Sequence, residues 1–394
     1  MKDETFHRDT EILRQGAYLK GRRDKPETAP IYLTTAFNVD DLDDLMGLYE
    51  VKGYGYIRTR NPNRSALAEL LTYMEGGEDS LICNCGMAAI STALLSMLAS
   101  GDHIVSDKTL YGEDFDLFNT VFSGYGITVS YADFTDIQAV EGAIRPNTKV
   151  LYTETISNPS ITVVDIPAVV KLARQHGLKV VVDNTFTTSL TLKPLELGVD
   201  VSINSLTKYA NGHSDAMAGA ITASAEIIKK AHALQVLLGT PADPFTCWLV
   251  QRGIRTMDLR VQRQMDNASK LASALEAHPS VLKVNHPSLA SHPQHEVARR
   301  MLKNGFGGML SLVLPDDRAK INAFLRKLQI AHYAMTLGGY RTTLSHPISS
   351  SHYYLSDEER SKMGITFGMM RVSVGIENAD DLIADFNRAL EVFK

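Results

Sequence analysis

Cysteines are few in this sequence, and their number argues against disulfides. Only Cys83, Cys85 and Cys247 occur in 394 residues, and an odd number in so long a chain implies no disulfide framework. A reducing compartment, the cytoplasm, is therefore expected. Cys83 and Cys85 form a Cys-x-Cys pair, but no second pair of metal ligands lies near them in the sequence, so we expect no metal site.

Long apolar runs and one-sided charge are also absent. No run approaches the ~20 apolar residues that a membrane span needs, and residues 1–7 are polar where a signal peptide has an apolar core. The net charge is −5 with both signs mixed, and without a basic stripe we expect no nucleic-acid partner. Apolar residues make up 44% and charged residues 22%, which is typical of a soluble globular protein.

A regular order of predicted elements divides the chain into three regions. Residues 1–60 have weak periodicity with glycine, proline and many charges, which favours an extended arm that lies against something else. Residues 61–254 alternate strands with helices, and several strands are apolar throughout. This order predicts a large α/β domain whose mainly parallel sheet is covered on both faces. Residues 255–394 mix strands and helices, which favours a smaller α+β domain.

Seven strands are predicted in the large domain, at 80–83, 103–106, 127–131, 149–154, 179–183, 199–204 and 219–223. Helices are predicted at 65–73, 87–98, 166–176, 255–276, 318–328 and 379–393, and further strands at 281–284, 308–314 and 370–374. In parallel sheets of this kind, reactive residues gather where the strands end. This rule selects Glu154, Asn158, Asp183 and the turn 204–208.

A lysine follows the sixth predicted strand. Lys208 stands after Ser205 and Thr207 and before the turn Gly212-His213-Ser214-Asp215. A lysine at the end of a strand can form a Schiff base with an aldehyde cofactor, and hydroxyls beside it can hold a phosphate. Most lysines are solvated surface residues, so this interpretation depends on what else the chain supplies.

Other residues fit the remaining needs of a pyridoxal phosphate site. Asp183 ends an apolar strand, and a carboxylate there can keep a pyridine nitrogen protonated. Gly86 and Met87 open a helix whose N–H groups can face a phosphate. Tyr111 follows the second strand, so it can stack on a ring and offer its hydroxyl for proton transfer. Each also has a structural interpretation, as a turn cap, a turn glycine or a half-buried loop aromatic.

Arg371 lies in the last predicted strand between apolar residues. A buried arginine needs an anionic partner. The α-carboxylate of an amino-acid substrate would match the guanidinium with two hydrogen bonds, and a structural salt bridge is the alternative.

Together these residues resemble the Cys/Met-metabolism family of pyridoxal-phosphate enzymes. That family has the type I, aspartate-aminotransferase-like fold and includes cystathionine γ-synthase, cystathionine β- and γ-lyases, methionine γ-lyase and O-acetylhomoserine sulfhydrylase. The likeness runs from Thr34-Thr35-Ala36-Phe37 to residues 372–377. Its motifs are Tyr56-Ile57-Arg58 with Asn61-Pro62, residues 70–77, Gly86-Met87-Ala88-Ala89-Ile90, Leu110-Tyr111-Gly112, Ser157-Asn158-Pro159, Val182-Asp183-Asn184-Thr185, Ser205-Leu206-Thr207-Lys208-Tyr209, Gly212-His213-Ser214-Asp215 and Arg371.

The resemblance implies a role for each residue. Lys208 would carry pyridoxal 5'-phosphate and shuttle protons, and Tyr111 would stack on the ring and act in catalysis. The other cofactor-binding residues would be Asp183 at the pyridine nitrogen, Gly86, Met87, Ser205 and Thr207 at the phosphate, and Thr185. The substrate carboxylate would lie near Asn158, Arg371 and Thr336.

The resemblance also implies a partner subunit. In this family Tyr56 and Arg58 reach the phosphate of the neighbouring subunit, which would explain the irregular arm. The active unit would then be at least a dimer, and a homotetramer built as a dimer of dimers is common in the family.

Three positions depart from the family pattern. Glu113 stands where methionine γ-lyases usually have cysteine, which argues against that activity. Arg341 replaces a usual glutamate, and Cys85 replaces a common serine. Glu113 could bind a cationic substrate such as the guanidine-bearing amino acid canavanine, or it could pair with Arg341 structurally. Conversely, Arg341 could bind an anionic distal group, as in O-succinylhomoserine or cystathionine.

The expected function is a γ-lyase acting on a small amino-acid substrate. It would cleave a Cγ–S or Cγ–O bond of a homoserine-derived amino acid. The alternatives are γ-replacement, as in O-acetyl- or O-succinylhomoserine sulfhydrylase and cystathionine γ-synthase, and then cystathionine β-lyase. A pyridoxal-phosphate-binding protein without turnover is disfavoured, because every expected catalytic residue is present.

Overall fold

Seven strands form the larger of two sheets in the computed structural model, which describes residues 7–15, 26–50, 53–353 and 356–394. Along the chain they are β1 (Asp79–Cys83), β2 (His103–Asp107), β3 (Thr128–Ala132), β4 (Thr148–Glu154), β5 (Lys179–Asp183), β6 (Val201–Ser205) and β7 (Gly219–Ala223). Their order across the sheet is β1-β7-β6-β5-β4-β2-β3. Only β7 runs against its neighbours, so the predicted mainly parallel, seven-stranded sheet is confirmed.

Apolar side chains cover both faces of this sheet. In β5 the residues Val180, Val181 and Val182 are all buried. Because successive side chains of a strand point to opposite faces, Val181 packs in one apolar cluster while Val180 and Val182 pack in the other. Polar groups are therefore concentrated where the strands end.

Ten α-helices occur within the described residues before residue 257, and the first two of them belong to the arm. They are α1 (Arg8–Arg14), α2 (Leu42–Glu50), α3 (Pro62–Glu75), α4 (Gly86–Leu95), α5 (Gly112–Asp116), α6 (Ile137–Gly142), α7 (Ile166–His176), α8 (Thr188–Thr191), α9 (Ala225–Leu238) and α10 (Pro244–Ile254). A π-helical segment, Leu117–Phe122, continues α5. The prediction for α7 matches residue for residue, because Asp165 caps its start and Gly177 its end.

The arm differs from its prediction. Its described residues contain α1 and α2, so it is not irregular throughout. Part of the arm, residues 16–25, lies outside the described residues.

The second sheet has five strands within the described residues. They are β8 (Lys283–Asn285), β9 (Met309–Val313), β10 (His332–Tyr333), β11 (Thr343–Ser345) and β12 (Met369–Ser373), in the order β10-β11-β12-β9-β8. The accompanying helices are α11 (Met257–Glu276), α12 (His295–Met301), α13 (Arg318–Lys327), α14 (Asp357–Lys362) and α15 (Ala379–Leu390). A third apolar cluster joins α11, α13 and α15 to this sheet. The division into an arm (1–60), a large domain (61–254) and a C-terminal domain (255–394) stays a prediction.

Parallel pairing places the reactive strand ends side by side. Glu154 at the end of β4 pairs in register with Asp183 at the end of β5, and Asp183 pairs with Ile203 of β6. Lys208 follows β6 by three residues. The expected gathering of polar residues at one edge is thus present in the fold.

Among the described helices, none is long and apolar enough to cross a bilayer.

Buried Glu75, at the end of α3, makes stability depend on pH. It accepts a hydrogen bond from Ser202 Oγ (2.9 Å), and burial raises the pKa of its carboxyl to about 7. Because the folded state holds this proton more tightly than the unfolded state, the contribution of Glu75 is complete below about pH 4.5 and is lost as pH rises through about 7. The loss is about 3 kcal/mol, since each tenfold change in proton affinity is worth about 1.4 kcal/mol.

Glu75→Gln should remove this dependence, because a glutamine keeps an acceptor for Ser202 and does not ionise. We expect the difference in melting temperature, variant minus wild type, to be several degrees larger at pH 8 than at pH 5.5. Glu391→Gln, at an exposed position, serves as control and should show a constant difference. A pH-independent difference for Glu75→Gln would contradict the prediction.

Candidate active site

A cavity of about 250 Å³ opens beside the carboxyl ends of β4, β5 and β6. Most of the residues predicted from the sequence line it: Gly86, Met87, Tyr111, Glu113, Asn158, Asp183, Thr185, Ser205, Thr207, Lys208 and Arg371. Apolar side chains, including Ile90, Ile156 and Phe186, complete the wall. The fold therefore brings together residues that are up to 285 positions apart (371 − 86).

One end of the cavity suits a phosphate. Cys85 caps α4, with its Sγ accepting from the N–H of Ala88 (3.4 Å), and the N–H groups of Gly86 and Met87 have no partner within the helix. A Cβ at Gly86 would lie 3.1 Å from the Oγ of Ser205, so glycine permits the close approach of helix and hydroxyl. This end thus offers several N–H and O–H donors.

The hydroxyl of Thr207 and the backbone of Ser205, both beside Lys208, are held by hydrogen bonds. Thr207 Oγ1 donates to the carbonyl of Ala218 (3.2 Å) and accepts from the Ala218 N–H (3.1 Å). The N–H of Ser205 donates to Thr185 Oγ1 (2.8 Å). Thr207 can therefore donate to a phosphate only by exchanging its bond to Ala218.

Asp183 is half-buried in the lining of the cavity. Its Oδ1 accepts from the N–H of Thr185 (2.8 Å), which orients the carboxyl. Burial raises the pKa of Asp183, while the hydrogen bonds of Thr185 and the charge of Lys208 lower it. A half-buried carboxyl of this kind is a suitable partner for the N–H of a protonated pyridine ring.

Lys208 is the amine of the cavity. Burial lowers its pKa, and the charge of Arg371 lowers it further, while Glu113 and Asp183 act in the opposite sense. A lowered pKa increases the fraction of neutral amine, which is the form that attacks an aldehyde.

The loop that follows Lys208 is firmly held. Arg260 of α11 is buried and donates to the carbonyls of Tyr209 (3.0 Å) and Ala210 (3.3 Å). A Cβ at Gly338 would lie 2.6 Å from the Tyr209 nitrogen, so only glycine allows this approach. No sequence motif marks Arg260, although a cation on an apolar stretch of helix is a signal for a buried role.

Tyr111 stands at the start of α5. Burial raises the pKa of its phenol, and the neighbouring Glu113 carboxylate raises it further. The phenol thus keeps its proton at neutral pH and can donate it. Glu113 itself lies in an exposed position at the mouth of the cavity, near Met217 and Met335.

Arg371 is only 6% exposed, and its Nε has no hydrogen-bond partner among the described residues. Its Nη1 donates to Asn158 Oδ1 (2.9 Å) and its Nη2 to the carbonyl of Thr336 (3.4 Å). Burial lowers its pKa to about 10, so it stays charged at neutral pH. Within the described residues no carboxylate forms an ion pair with it, which leaves the guanidinium available for a ligand carboxylate.

Three predicted residues do not line this cavity. Thr336 approaches Arg371 only through its backbone carbonyl. Tyr56 is 47% exposed, with the guanidinium of Arg58 5.6 Å from its ring centre, and Arg58 Nη1 donates to the carbonyl of Val236 (2.9 Å). Neither of these two side chains is among the residues that line the cavity of their own chain.

Arg341 lies apart from Glu113. It is exposed, and its guanidinium is 5.3 Å from the ring centre of Tyr340. Among the described residues no ion pair joins Arg341 to Glu113. The suggested structural pair is therefore not formed.

Glu154 also lines the cavity, although no specific role was predicted for it from the sequence. It is 6% exposed, and its two oxygens accept from the N–H groups of Tyr111 (2.8 Å) and Asn158 (2.9 Å). Burial, and then the charges of Asp183 and Asp114, raise its pKa well above the ordinary range. Its position at a strand end was the only signal in the sequence.

The donor set fits pyridoxal phosphate. The cavity offers an amine of lowered pKa for the aldehyde, a half-buried carboxyl for the pyridine nitrogen, a tyrosine for the ring, and a helix terminus with a hydroxyl for the phosphate. The unpartnered Nε of Arg371 adds a place for an amino-acid carboxylate.

Comparison with known proteins agrees with this chemistry. The family model described as Cys/Met metabolism PLP-dependent enzyme matches residues 9–391. The L-methionine gamma-lyase of Fusobacterium nucleatum is 37% identical over 92% of this chain and 93% of its own length. The cystathionine gamma-lyase of Bacillus subtilis is 40% identical over 86% of this chain and 89% of its own.

Solved structures agree as well. The crystal structure of cystathionine gamma synthase from Xanthomonas oryzae pv. oryzae in complex with cystathionine has a TM-score of 0.94 and 35% identity, and the match covers 99% of both chains. The predicted type I fold, the cofactor and the class of pyridoxal-phosphate-dependent lyase are confirmed. This chain therefore belongs to the family of Cys/Met-metabolism enzymes that depend on pyridoxal phosphate.

Proposed function

We propose that this enzyme eliminates a heteroatom group from Cγ of a homoserine-derived amino acid, breaking a C–S or C–O bond and releasing a 2-oxo acid and ammonia. The observation that carries the proposal is that one cavity holds an amine, Lys208, a protonated phenol, Tyr111, and a cation without an ionic partner among the described residues, Arg371. The names of the similar methionine and cystathionine gamma-lyases support this class of reaction.

Each of these residues has a defined task. Arg371 and Asn158 bind the α-carboxylate and orient the substrate. Pyridoxal phosphate, when bound, supplies an electron sink next to Cα. The Nζ of Lys208 takes the proton from Cα and then moves protons at Cβ, and the hydroxyl of Tyr111 donates a proton to the leaving heteroatom on Cγ. Asp183 would hold the pyridine nitrogen of the bound cofactor protonated.

Lys208→Ala should abolish covalent attachment of the cofactor. Reduction of the wild type with borohydride should fix the cofactor on the protein and raise its intact mass, whereas the variant should gain no mass. Elimination activity should fall by at least about 1000-fold, because both the attachment point and the base are lost. The surface variant Lys171→Ala should behave as wild type, and covalently fixed cofactor in Lys208→Ala would show that another lysine carries it.

The distal end of the substrate is proposed to be basic. Glu113 is the charged side chain at the mouth of the cavity, and among the described residues it forms no ion pair. A guanidine group on the substrate would meet this carboxylate, as in canavanine, whose Cγ–O bond the reaction would cut. Because the mouth is exposed to water, we expect a gain of only about 1–2 kcal/mol. Arg341 lies outside the cavity lining, so an anionic distal group finds no equivalent partner there.

Glu113→Gln should lower kcat/KM for canavanine about tenfold more than kcat/KM for O-acetylhomoserine, because only canavanine carries a distal cation, whereas the lost contact between Glu113 and Tyr111 affects both substrates. Steady-state kinetics on both substrates would decide. Arg341→Met, at an exposed position outside the cavity, is the matched control and should change neither value. Equal losses on both substrates, or no loss on either, would contradict a basic substrate.

A replacement reaction at Cγ is the second candidate, because the cystathionine gamma synthase of Xanthomonas oryzae superposes over 99% of the chain. A panel of canavanine, methionine, cystathionine, O-acetyl- and O-succinylhomoserine, each with and without cysteine, separates the two. Elimination yields a 2-oxo acid and ammonia without cysteine. Replacement consumes cysteine and yields a thioether.

We further propose that the active unit is a dimer, assembled into a tetramer as a dimer of dimers. The cations lining the cavity are Lys208 and Arg371, both assigned to other groups, so a bound phosphate lacks a cationic partner among the described lining residues. Arg58 and Tyr56 are exposed and lie outside the lining of their own cavity, which supports the proposal that they act in a neighbouring subunit. A cytoplasmic location is likewise proposed from the cysteine content.

Co-expression of two impaired variants should test whether each active site takes residues from both subunits. The Lys208→Ala and Arg58→Ala enzymes should each be weakly active alone. When the two are co-expressed in equal amounts, half of the dimers are mixed and each mixed dimer has one intact site. We therefore expect about a quarter of wild-type activity. Co-expression of Lys208→Ala with Asp183→Ala, two residues of one cavity, should give no recovery, because a mixed dimer then has no intact site. Failure of the first pair to recover would place Arg58 outside the neighbouring site.

A further inference from the structure

Glu154 joins two walls of the cavity. It ends β4, is buried, and lies in register beside Asp183. Its Oε1 accepts the N–H of Tyr111 at 2.8 Å, and its Oε2 accepts the N–H of Asn158 at 2.9 Å. Tyr111 lies 43 residues before Glu154 and Asn158 four residues after it, so the carboxylate connects a distant helix start to its own loop.

The connection extends to the substrate-binding arginine. Asn158 Oδ1 accepts from Arg371 Nη1 at 2.9 Å. One continuous path of hydrogen bonds thus links Tyr111, Glu154, Asn158 and Arg371. Both bonds of Glu154 go to backbone N–H groups, so they hold the chain at Tyr111 and Asn158 and leave the two side chains free to act.

We propose that Glu154 is a positioning residue that sets the distance between the proton donor Tyr111 and the carboxylate-binding pair Asn158 and Arg371. The inference depends on the function proposed above for Tyr111 and Arg371. A glutamate suits the task, because its two oxygens can each accept one of the two backbone N–H groups. A glutamine would present an N–H₂ group to one of the two N–H donors, and an aspartate is one methylene shorter.

Glu154→Gln tests the inference on the cofactor-loaded enzyme. The first measurement is the dissociation constant for norleucine, which has the α-carboxylate but no leaving group, followed through the absorbance of the bound cofactor. The second is kcat per loaded site on the panel substrate that the wild type turns over fastest. We expect norleucine to bind about tenfold more weakly and kcat to fall at least about tenfold, because one of the two backbone segments is released.

Glu75→Gln is the matched control, since Glu75 is also a buried carboxyl but does not line the cavity. It should leave both values unchanged. If Glu154 were only structural, Glu154→Gln would lower the melting temperature and the yield of loaded enzyme, while the norleucine constant and kcat per loaded site would stay at wild-type values. That outcome would overturn the inference.

A double variant tests whether Glu154 acts through Asn158 and Arg371. In an Asn158→Ala background, where the link to Arg371 is already broken, Glu154→Gln should weaken norleucine binding much less than tenfold. If the two substitutions weaken norleucine binding additively, Glu154 does not act through this path of hydrogen bonds. If the wild type turns over no panel substrate, the proposed function fails, but the norleucine measurements still decide on Glu154.

Discussion

Parallel pairing of β4, β5 and β6 is the constraint on which the site depends. Both faces of this sheet are covered by apolar side chains, so charged groups are tolerated only where the strands end. Glu154 and Asp183 occupy neighbouring ends in register, and Lys208 follows the third. The packing that makes the sheet stable therefore also collects its reactive residues at one edge.

Burial then sets the state of each group in the cavity. It lowers the pKa of Lys208 and Arg371 and raises the pKa of Tyr111 and Asp183. The amine moves towards its nucleophilic form and the phenol keeps the proton that a leaving group needs. Arg371 still remains charged, because a pKa of about 10 lies well above neutral pH. One physical cause, removal from water, thus shifts the pKa values of the amine, the phenol, the carboxyl and the guanidinium of this cavity.

Many elements could be predicted from the sequence because their signals are local. Asp165 and Gly177 mark the ends of α7, and the apolar run before Asp183 marks β5. Other elements were not predicted, and the arm contains two helices where none was expected; outside the arm the unpredicted elements are α5, α6, α8, α9, α10, α12, α14, β10 and β11. In α9 only Ile228, Ala231 and Gln235 are buried, so its sequence carries a weak apolar period for a helix held mainly by its neighbours.

By itself the sequence determined the class of chemistry, because Lys208, Asp183, Tyr111 and Arg371 are residue types that a pyridoxal phosphate site requires and stand in recognisable motifs. Only the tertiary structure decided which side chains meet. It joined Glu154 to Tyr111, left Arg341 apart from Glu113 and placed Arg58 away from its own cavity. Such contacts depend on strand register and on how distant loops pack, and neither is encoded in the spacing of residues along the chain.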